Sequence, residues 1–368
     1  MEEQTVSSYL TPTNTGHNGV SRRRLALPLP GCLWFNHHSS GIAMVKPLSG
    51  GRGESPRKEP FPPNIVRRIV GSNVWLGRAE RDSSELLGSI GAEKLNFEVH
   101  STEDAVGSAM FSEIEQAANA KGGDLVIVIL GGRGGQALHR LLGELARTGT
   151  RDELLGSLHV FTQDALAPMR MNNGLSFIRD FERLLGPAFF EKVKSFTPIR
   201  TDTDDLEGEM AHYVEKLDSM GGIDILFLGL GPEPGAASHL AYIRPGSGAA
   251  AMDLAGVIPI SSSILEHHIS KFKAGGSDVT EQDEAQCRSA TSILTLGPAS
   301  ILGARRVVQS VVDAKTAPAK RESYSRVLET DISDDPAERA DQLDKNPGLW
   351  LRLHSNAISF ILPDVLEA

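Results

Sequence analysis

Short apolar runs of strand length alternate along most of this chain with segments whose apolar positions recur at helical spacing. Residues 95–99 read as a strand. Ser101-Thr102-Glu103-Asp104 follows, with a hydroxyl and two carboxylates suited to a helix N-terminus, and Ala105, Met110, Ile114 and Ala117 supply one apolar face. Residues 125–130 are apolar throughout, as a strand buried on both faces requires. The glycine-rich turn 131–135 leads from this strand into a helix over 136–148. Residues 158–161 form the next strand, 175–185 a helix, and 206–220 a helix ended by Gly221-Gly222. Residues 223–228 are again a buried strand, and it too runs into glycines, Gly229-Leu230-Gly231. Further strands are expected at 257–260, 293–296 and 357–361, with a helix over 301–312. Buried strands alternating with helices predict a three-layer α/β/α, Rossmann-like domain with a mostly parallel central sheet. Ligands of such sheets bind beyond the carboxyl ends of the strands. Two strands that end in glycine-rich turns mark that edge here.

The periodic part occupies residues 95–368. Before it, residues 1–64 read as a disordered or targeting extension and linker, and 65–94 as a helical segment docked on the main domain. No Asp or Glu stands between Gln4 and Gly53. Ser21-Arg22-Arg23-Arg24 has a faint likeness to a twin-arginine signal, and the acid-poor stretch to an organelle transit peptide. Pro28 and Pro30 break the apolar run that a signal needs, so a cytoplasmic protein is the expectation. His37-His38 has no third ligand beside it, and no metal site is read there.

Composition sharpens the picture in three ways. A chain of 368 residues that is 40% hydrophobic but only 5% aromatic, with 37 Gly and 20 Pro, favours a loop-rich α/β protein over a helical bundle. The net charge of −10 divides unevenly, near +5 over residues 1–70 and −15 over the rest. An acidic main domain argues against nucleic acid as a partner, and an anionic small molecule would need a few local donors. Cys32 and Cys287 alone make neither a disulfide framework nor a cysteine metal site. No apolar run is of membrane-spanning length. The sequence does not fix an oligomeric state; a homo-oligomer is compatible with it.

Candidate chemistry gathers at the strand ends. Gly132, Gly134, Gly135 and Gln136 can turn backbone N–H groups toward an anion at the start of a helix, and Arg133 can add a charged fork. The spacing is neither a Walker A loop nor a dinucleotide fingerprint. Phe161-Thr162-Gln163-Asp164 puts a carboxylate just past a strand, where it serves as a cap, a solvated loop residue or a base. Residues 228–247 are too long and too rich in Gly and Pro for a simple connection, and they carry one histidine, His239, placed for acid–base work. Lys271 and Lys273 are further candidates to reach a phosphate, and the adjacent His267-His268 sits near the ligand edge without an assigned role. Asp202, Asp204 and Asp205 read as charges at a helix start, and residues 281–284 as a solvated loop.

Taken in order, these pieces resemble the glucosamine-6-phosphate isomerase/6-phosphogluconolactonase superfamily, as a divergent member, over residues 97–362. The strand and glycine turn at 127–138 resemble its phosphate loop. Phe161-Thr162-Gln163-Asp164 resembles the strand that ends in the catalytic Asp, and Ser176-Phe177 stands where the family has Ser-Tyr. Leu228-Gly229-Leu230-Gly231, His239-Leu240-Ala241-Tyr242 and Pro245-Gly246-Ser247 resemble the catalytic His loop. Leu296-Gly297, Ser300-Ile301-Leu302 and Lys315 resemble the segment with the phosphate-binding Lys, and Leu351-Arg352-Leu353-His354 a late Leu-x-Leu-His stretch. The resemblance implies an isomerase or deaminase of a sugar phosphate that needs no cofactor or metal. Asp164 would carry the proton between C1 and C2, His239 would open the ring, and Gly134, Gly135 and Lys315 would hold the phosphate. Alternatives are a non-catalytic sugar-phosphate sensor and a phosphogluconolactonase-like hydrolase. Departures lie in the phosphate loop, where Arg133 and Gln136 replace the family's Thr or Ser, at Ala165 and Leu362, where the family has acidic residues, and around His239. The family's Asp two residues before the His is Ala237, and the Glu shortly after it is replaced by Arg244, a positive charge for a negative one. Glu233 is expected to stand in for the missing carboxylate if the loop folds back, and Glu233 and Arg244 are candidate ligand contacts.

Overall fold

The computed structural model describes residues 67–70 and 83–367. Ser21-Arg22-Arg23-Arg24, His37-His38 and the linker of the extension lie outside the described residues. In chain order the elements are β1 (Arg67–Val70), α1 (Ser83–Ser89), β2 (Asn96–Val99), α2 (Glu103–Lys121), β3 (Leu125–Ile129), α3 (Gln136–Thr148), α4 (Asp152–Leu155), β4 (Leu158–Thr162), β5 (Asp164–Ala167), α5 (Phe177–Lys192), β6 (Ser195–Thr197) and α6 (Leu206–Ser219). They continue with β7 (Ile225–Pro232), β8 (Ser238–Leu240), β9 (Asp253–Pro259), α7 (Ser262–Ala274), α8 (Glu281–Arg288), β10 (Ser292–Leu296), α9 (Pro298–Gly303), β11 (Arg306–Val311), α10 (Ala319–Glu329), α11 (Pro336–Lys345) and β12 (Ala357–Ile361).

The central sheet has the order β2-β12-β11-β7-β3-β4-β6, and its neighbouring strands all run parallel. Its inner strands are apolar on both faces, and β3 shows why. Val126 and Val128 join one core with Leu226, Leu228 and Val307, while Leu125, Ile127 and Ile129 join the other with Ile225, Phe227 and Val308. Alternate side chains of a strand point to opposite faces. Helices α2, α3 and α5 cover one face with Met110, Ile114, Leu138, Leu142, Phe181 and Leu185. On the other lie α6 and α10, which contribute Met210, Tyr213, Leu217, Tyr324 and Val327. Helix starts follow the sequence reading. The Thr102 hydroxyl accepts from Ala105 N–H at 3.1 Å, and Asp205 caps α6 through Gly208 N–H at 2.9 Å.

Four expectations are corrected. A second, antiparallel sheet of order β1-β9-β10-β5 takes the strands expected at 257–260 and 293–296. A short apolar run does not declare which sheet it joins. Among its described residues the segment 65–94, read as helical, has a strand at Arg67–Val70 and a helix at Ser83–Ser89. α1 docks on the main domain, where the Arg339 guanidinium donates to Ile90 O at 2.6 Å and also to Leu87 O. The helix expected over 301–312 ends at Gly303, and β11 follows as a central strand. Its β-branched Val307, Val308 and Val311 favour the pleated conformation, and all three are fully buried. Residues 281–284 belong to α8, whose capping box is Thr280 with Asp283.

Candidate active site

The carboxyl ends of four adjacent strands, β11, β7, β3 and β4, open on one crevice. It is lined by Gly131, Gly132, Arg133 and Gly134 after β3, by Gln163 and Asp164 after β4, by residues 229–232 of β7, and by Ser310 and Asp313 at the end of β11. His239, Tyr242 and, from α7, His267, His268, Lys271 and Phe272 complete the wall.

The glycine turn enters α3 through a single 3-10 turn, closed by Gly135 N–H on Gly132 O at 3.1 Å. Gly132 has φ 72° and ψ −164°, a conformation open in practice to glycine alone. Of the predicted anion-binding residues, Gly132, Arg133 and Gly134 line the crevice, whereas Gly135 and Gln136 are buried outside its lining, at the end of the 3-10 turn and the start of α3. The Arg133 guanidinium is turned to Glu103 at 2.7 Å.

The structure does not bring Lys315 into this crevice. It lies in the adjoining cleft with Arg133, Thr316 and Asp364, and its backbone N–H donates to Asp364 Oδ2 at 2.8 Å. Lys320, buried in the first turn of α10, lines the crevice instead. Its ammonium donates to Val312 O and to Asp313 Oδ1, both at 3.0 Å. The other Asp313 oxygen accepts from Lys271 Nζ at 3.1 Å. Burial lowers the Lys320 pKa, the Lys271 and Arg133 charges push the same way, and Asp313 opposes them. Reading 301–312 as one helix hid this residue. With β11 recognised as a strand, the next helix start is α10, and its lysine is the one aimed at the sheet edge. Lys271, also a sequence candidate, lines the crevice, but Lys273 points away and pairs with Glu284.

Asp164 opens β5 and is 95% buried, with Oδ1 lacking a hydrogen-bond partner among the described residues. Burial raises its pKa from the ordinary 3.8 to about 8, so the carboxyl is protonated at neutral pH.

His239 sits on β8, which folds back antiparallel on β7 through the hairpin closed by Glu233 N–H on Ala237 O at 3.0 Å. That fold-back brings the substitute carboxylate into place, with Glu233 Oε1 2.8 Å from His239 Nδ1. The carboxylate accepts, so Nδ1 carries the hydrogen and Nε2 is left as the basic nitrogen. Arg244 Nε stands 3.4 Å from the other Glu233 oxygen, and its NH1 donates to Pro259 O at 3.1 Å. Arg244 thus braces the carboxylate from behind and does not line the crevice. The residue paired with His239 across the hairpin is Gly231, where a Cβ would lie 1.9 Å from Nε2. Only glycine leaves room for the ring there.

The neighbouring histidines differ in use. His268 Nε2 is bonded to Leu175 O at 2.7 Å, and burial holds its pKa near 4, so it is a neutral packing residue. His267 is half-buried on the crevice wall, its pKa lowered by burial and by the Lys271 and Lys320 charges. Among the described residues no group of three or more His, Cys, Asp or Glu is placed to hold a metal ion, and no helix is long and apolar enough to cross a membrane.

No family model matches the chain. A glucosamine-6-phosphate deaminase of Geobacillus sp. (strain WCH70) is 24% identical over 162 residues, 44% of this chain. The match spans 55% of that relative's length. Among solved structures, a monomeric glucosamine-6-phosphate deaminase aligns with a TM-score of 0.55 at 20% identity, covering 74% of this chain and 98% of that one. The 6-phosphogluconolactonase of Trypanosoma cruzi aligns at 0.54 and 16% identity, covering 75% and 97%, and that of Trypanosoma brucei at 0.52 and 18%, covering 74% and 98%. The chain therefore has the fold shared by glucosamine-6-phosphate deaminases and 6-phosphogluconolactonases, and is similar in sequence to one such deaminase at low identity.

Proposed function

We propose that this protein is a sugar-phosphate isomerase or deaminase. The observation that carries this reading is the convergence, on one crevice, of a buried Asp164, a His239 held by Glu233, and an anion seat made of the glycine turn, Lys320 and Lys271. The phosphate monoester takes the seat, where two ammonium groups and backbone N–H groups offset its charge. His239 Nε2 accepts the anomeric hydroxyl proton and returns it to the ring oxygen, with Glu233 stabilising the imidazolium between the two steps. Asp164, once ionised, takes the C2 proton of the open chain and returns it at C1, so one carboxyl serves both carbons. In a 2-amino sugar the resulting enolamine becomes the C2 imine when C1 is reprotonated, and water then releases ammonia.

The replacements at Ala237 and Arg244 favour a non-catalytic sensor; the Glu233 carboxylate on His239 Nδ1 supports the catalytic reading against it. The lactonase reading is kept because the fold matches both enzyme types and because a His–carboxylate pair also activates water for lactone hydrolysis. The two are separated by Asp164, since lactone hydrolysis moves no proton at carbon. The expected result is ammonia release from glucosamine 6-phosphate together with C2-proton exchange in D2O, both reduced about 10²–10⁴-fold in Asp164→Asn. Hydrolysis of 6-phosphogluconolactone without such exchange would establish the lactonase instead.

A further inference from the structure

Among the described residues, three that are not glycine have positive φ: Ala241 at 50°, Tyr242 at 56° and Asp313 at 60°. All three line the crevice. Side chains crowd the backbone in this conformation, and such residues persist where surrounding structure holds them, often at functional sites. Asp313 has its role in hand, between Lys271 and Lys320. The other two are adjacent and form the centre of one tight turn. Leu240 N–H donates to Ile243 O at 3.2 Å, and Ile243 N–H returns to Leu240 O at 2.7 Å. Positive φ at both central positions marks the two-residue turn that Asn-Gly, Asp-Gly or Gly-Gly normally fills. Ala-Tyr is a poor pair for it, and the turn is buried, with Ala241 in one core and Tyr242 packed against the other.

What the turn achieves is the placement of one ring. The Tyr242 ring lies 4.4 Å from the His239 imidazole, with 13° between the planes. The Thr295 hydroxyl of β10 donates to Ala241 O and ties the turn to the second sheet. His239 is thus constrained twice, at its edge by Glu233 and on its face by Tyr242. A hydrogen bond at Nδ1 alone leaves the ring free to tilt about that bond, and a stacked face removes the tilt. Burial, reinforced by the Asp164 and Glu233 carboxylates, raises the Tyr242 pKa, so the ring stays a neutral phenol beside them.

We propose that Tyr242 is a positioning residue, whose strained turn is retained because it lays the phenol ring on His239 and aims Nε2 into the crevice. This deepens the reading of His239 as the ring-opening group and rests on it for its effect on rate.

The test compares Tyr242→Phe, Tyr242→Leu and Tyr242→Asn by 15N NMR of the imidazoles, with His239 assigned from His239→Gln, alongside steady-state kinetics on glucosamine 6-phosphate. Tyr242→Phe keeps a stacking ring, so a single Nδ1–H tautomer is expected, with kcat within about twofold of the parent. Tyr242→Leu removes the ring. Mixed tautomers are expected, and kcat falls about tenfold or more while KM changes little. Asn accepts positive φ, so Tyr242→Asn relieves the turn and folds at least as well as Tyr242→Leu, yet loses the single tautomer to the same degree. An unchanged His239 tautomer in both Leu and Asn variants overturns the proposal. Loss of the tautomer in a protein that turns over no sugar phosphate upholds the positioning role and rejects the assigned reaction.

Discussion

His239 and Gly231 face each other across the β7–β8 hairpin, and the glycine is what lets the Nε2 edge of the imidazole come this close to the strand. A methyl group there would overlap Nε2 at 1.9 Å, so the ring would have to rotate away from Glu233 or out of the crevice. Gly231→Ala is expected to reduce kcat by about 10²-fold, the usual cost of displacing a reacting group by about 1 Å. Thermal unfolding checks that the loss is local, because the hairpin keeps its backbone pairing. The identity of this glycine was visible in the sequence as half of Gly229-Leu230-Gly231, but its purpose was not, since the His–Gly pairing depends on hairpin register. Glu233 was the opposite case. The absence of a carboxylate before His239 could be read from Ala237, and Glu233, six residues upstream, was a candidate to stand in for it. Only the hairpin shows that it reaches Nδ1.

Helix α7 brings its own cation to the sheet edge. Lys271 bridges to Asp313 at 3.1 Å and to the Thr316 hydroxyl at 2.7 Å, tying α7 to the chain that follows β11. A partly buried ion pair of this kind, whose attraction is offset by desolvation, adds on the order of 1 kcal/mol to stability. The same ammonium facing a phosphate in a crevice is worth about 1.5–3 kcal/mol, or roughly 10- to 100-fold in affinity. Lys271→Met is therefore expected to lower the melting temperature only slightly. It is also expected to weaken sugar-phosphate binding at least about tenfold, and hydrogen exchange should rise in α7 but not in β3 or β7. An equal loss of stability and affinity would show the lysine to be a brace and nothing more. The elements that sequence periodicity identified best are those buried on both faces, β3 and β7 above all, because a continuous apolar run bounded by glycines admits few other readings. It failed at β11, where Ile301, Leu302, Val307 and Val308 run together across a helix and a strand, so the helix start that carries Lys320 into the crevice was not visible.

At the scale of the whole molecule, the site is assembled from strand ends that lie next to one another in space but far apart in sequence, and one of its groups makes stability depend on pH. Burial raises the Asp164 pKa to about 8 in the folded protein, against 3.8 for an exposed carboxyl. The folded state holds this proton more tightly than the unfolded chain. The resulting stabilisation is fully present below pH 3.8 and is lost progressively as the pH rises through about 8. Asp164→Asn has no such proton, so the difference in melting temperature between the parent and this variant is expected to shift in the variant's favour from pH 5 to pH 8. A difference that stays constant would mean that Asp164 is ionised in the folded state throughout. Catalysis by the ionised form should rise over the same interval, so the site is less stable where it is more active. The central claim is that a phosphate is held at the glycine turn by Lys320. Calorimetric titration of glucosamine 6-phosphate into the parent, Lys320→Ala and Lys315→Ala tests it most directly. The expected result is a loss of about 10- to 100-fold in affinity for Lys320→Ala and a change under about twofold for Lys315→Ala. Unchanged affinity in Lys320→Ala, or the larger loss in Lys315→Ala, would contradict the account.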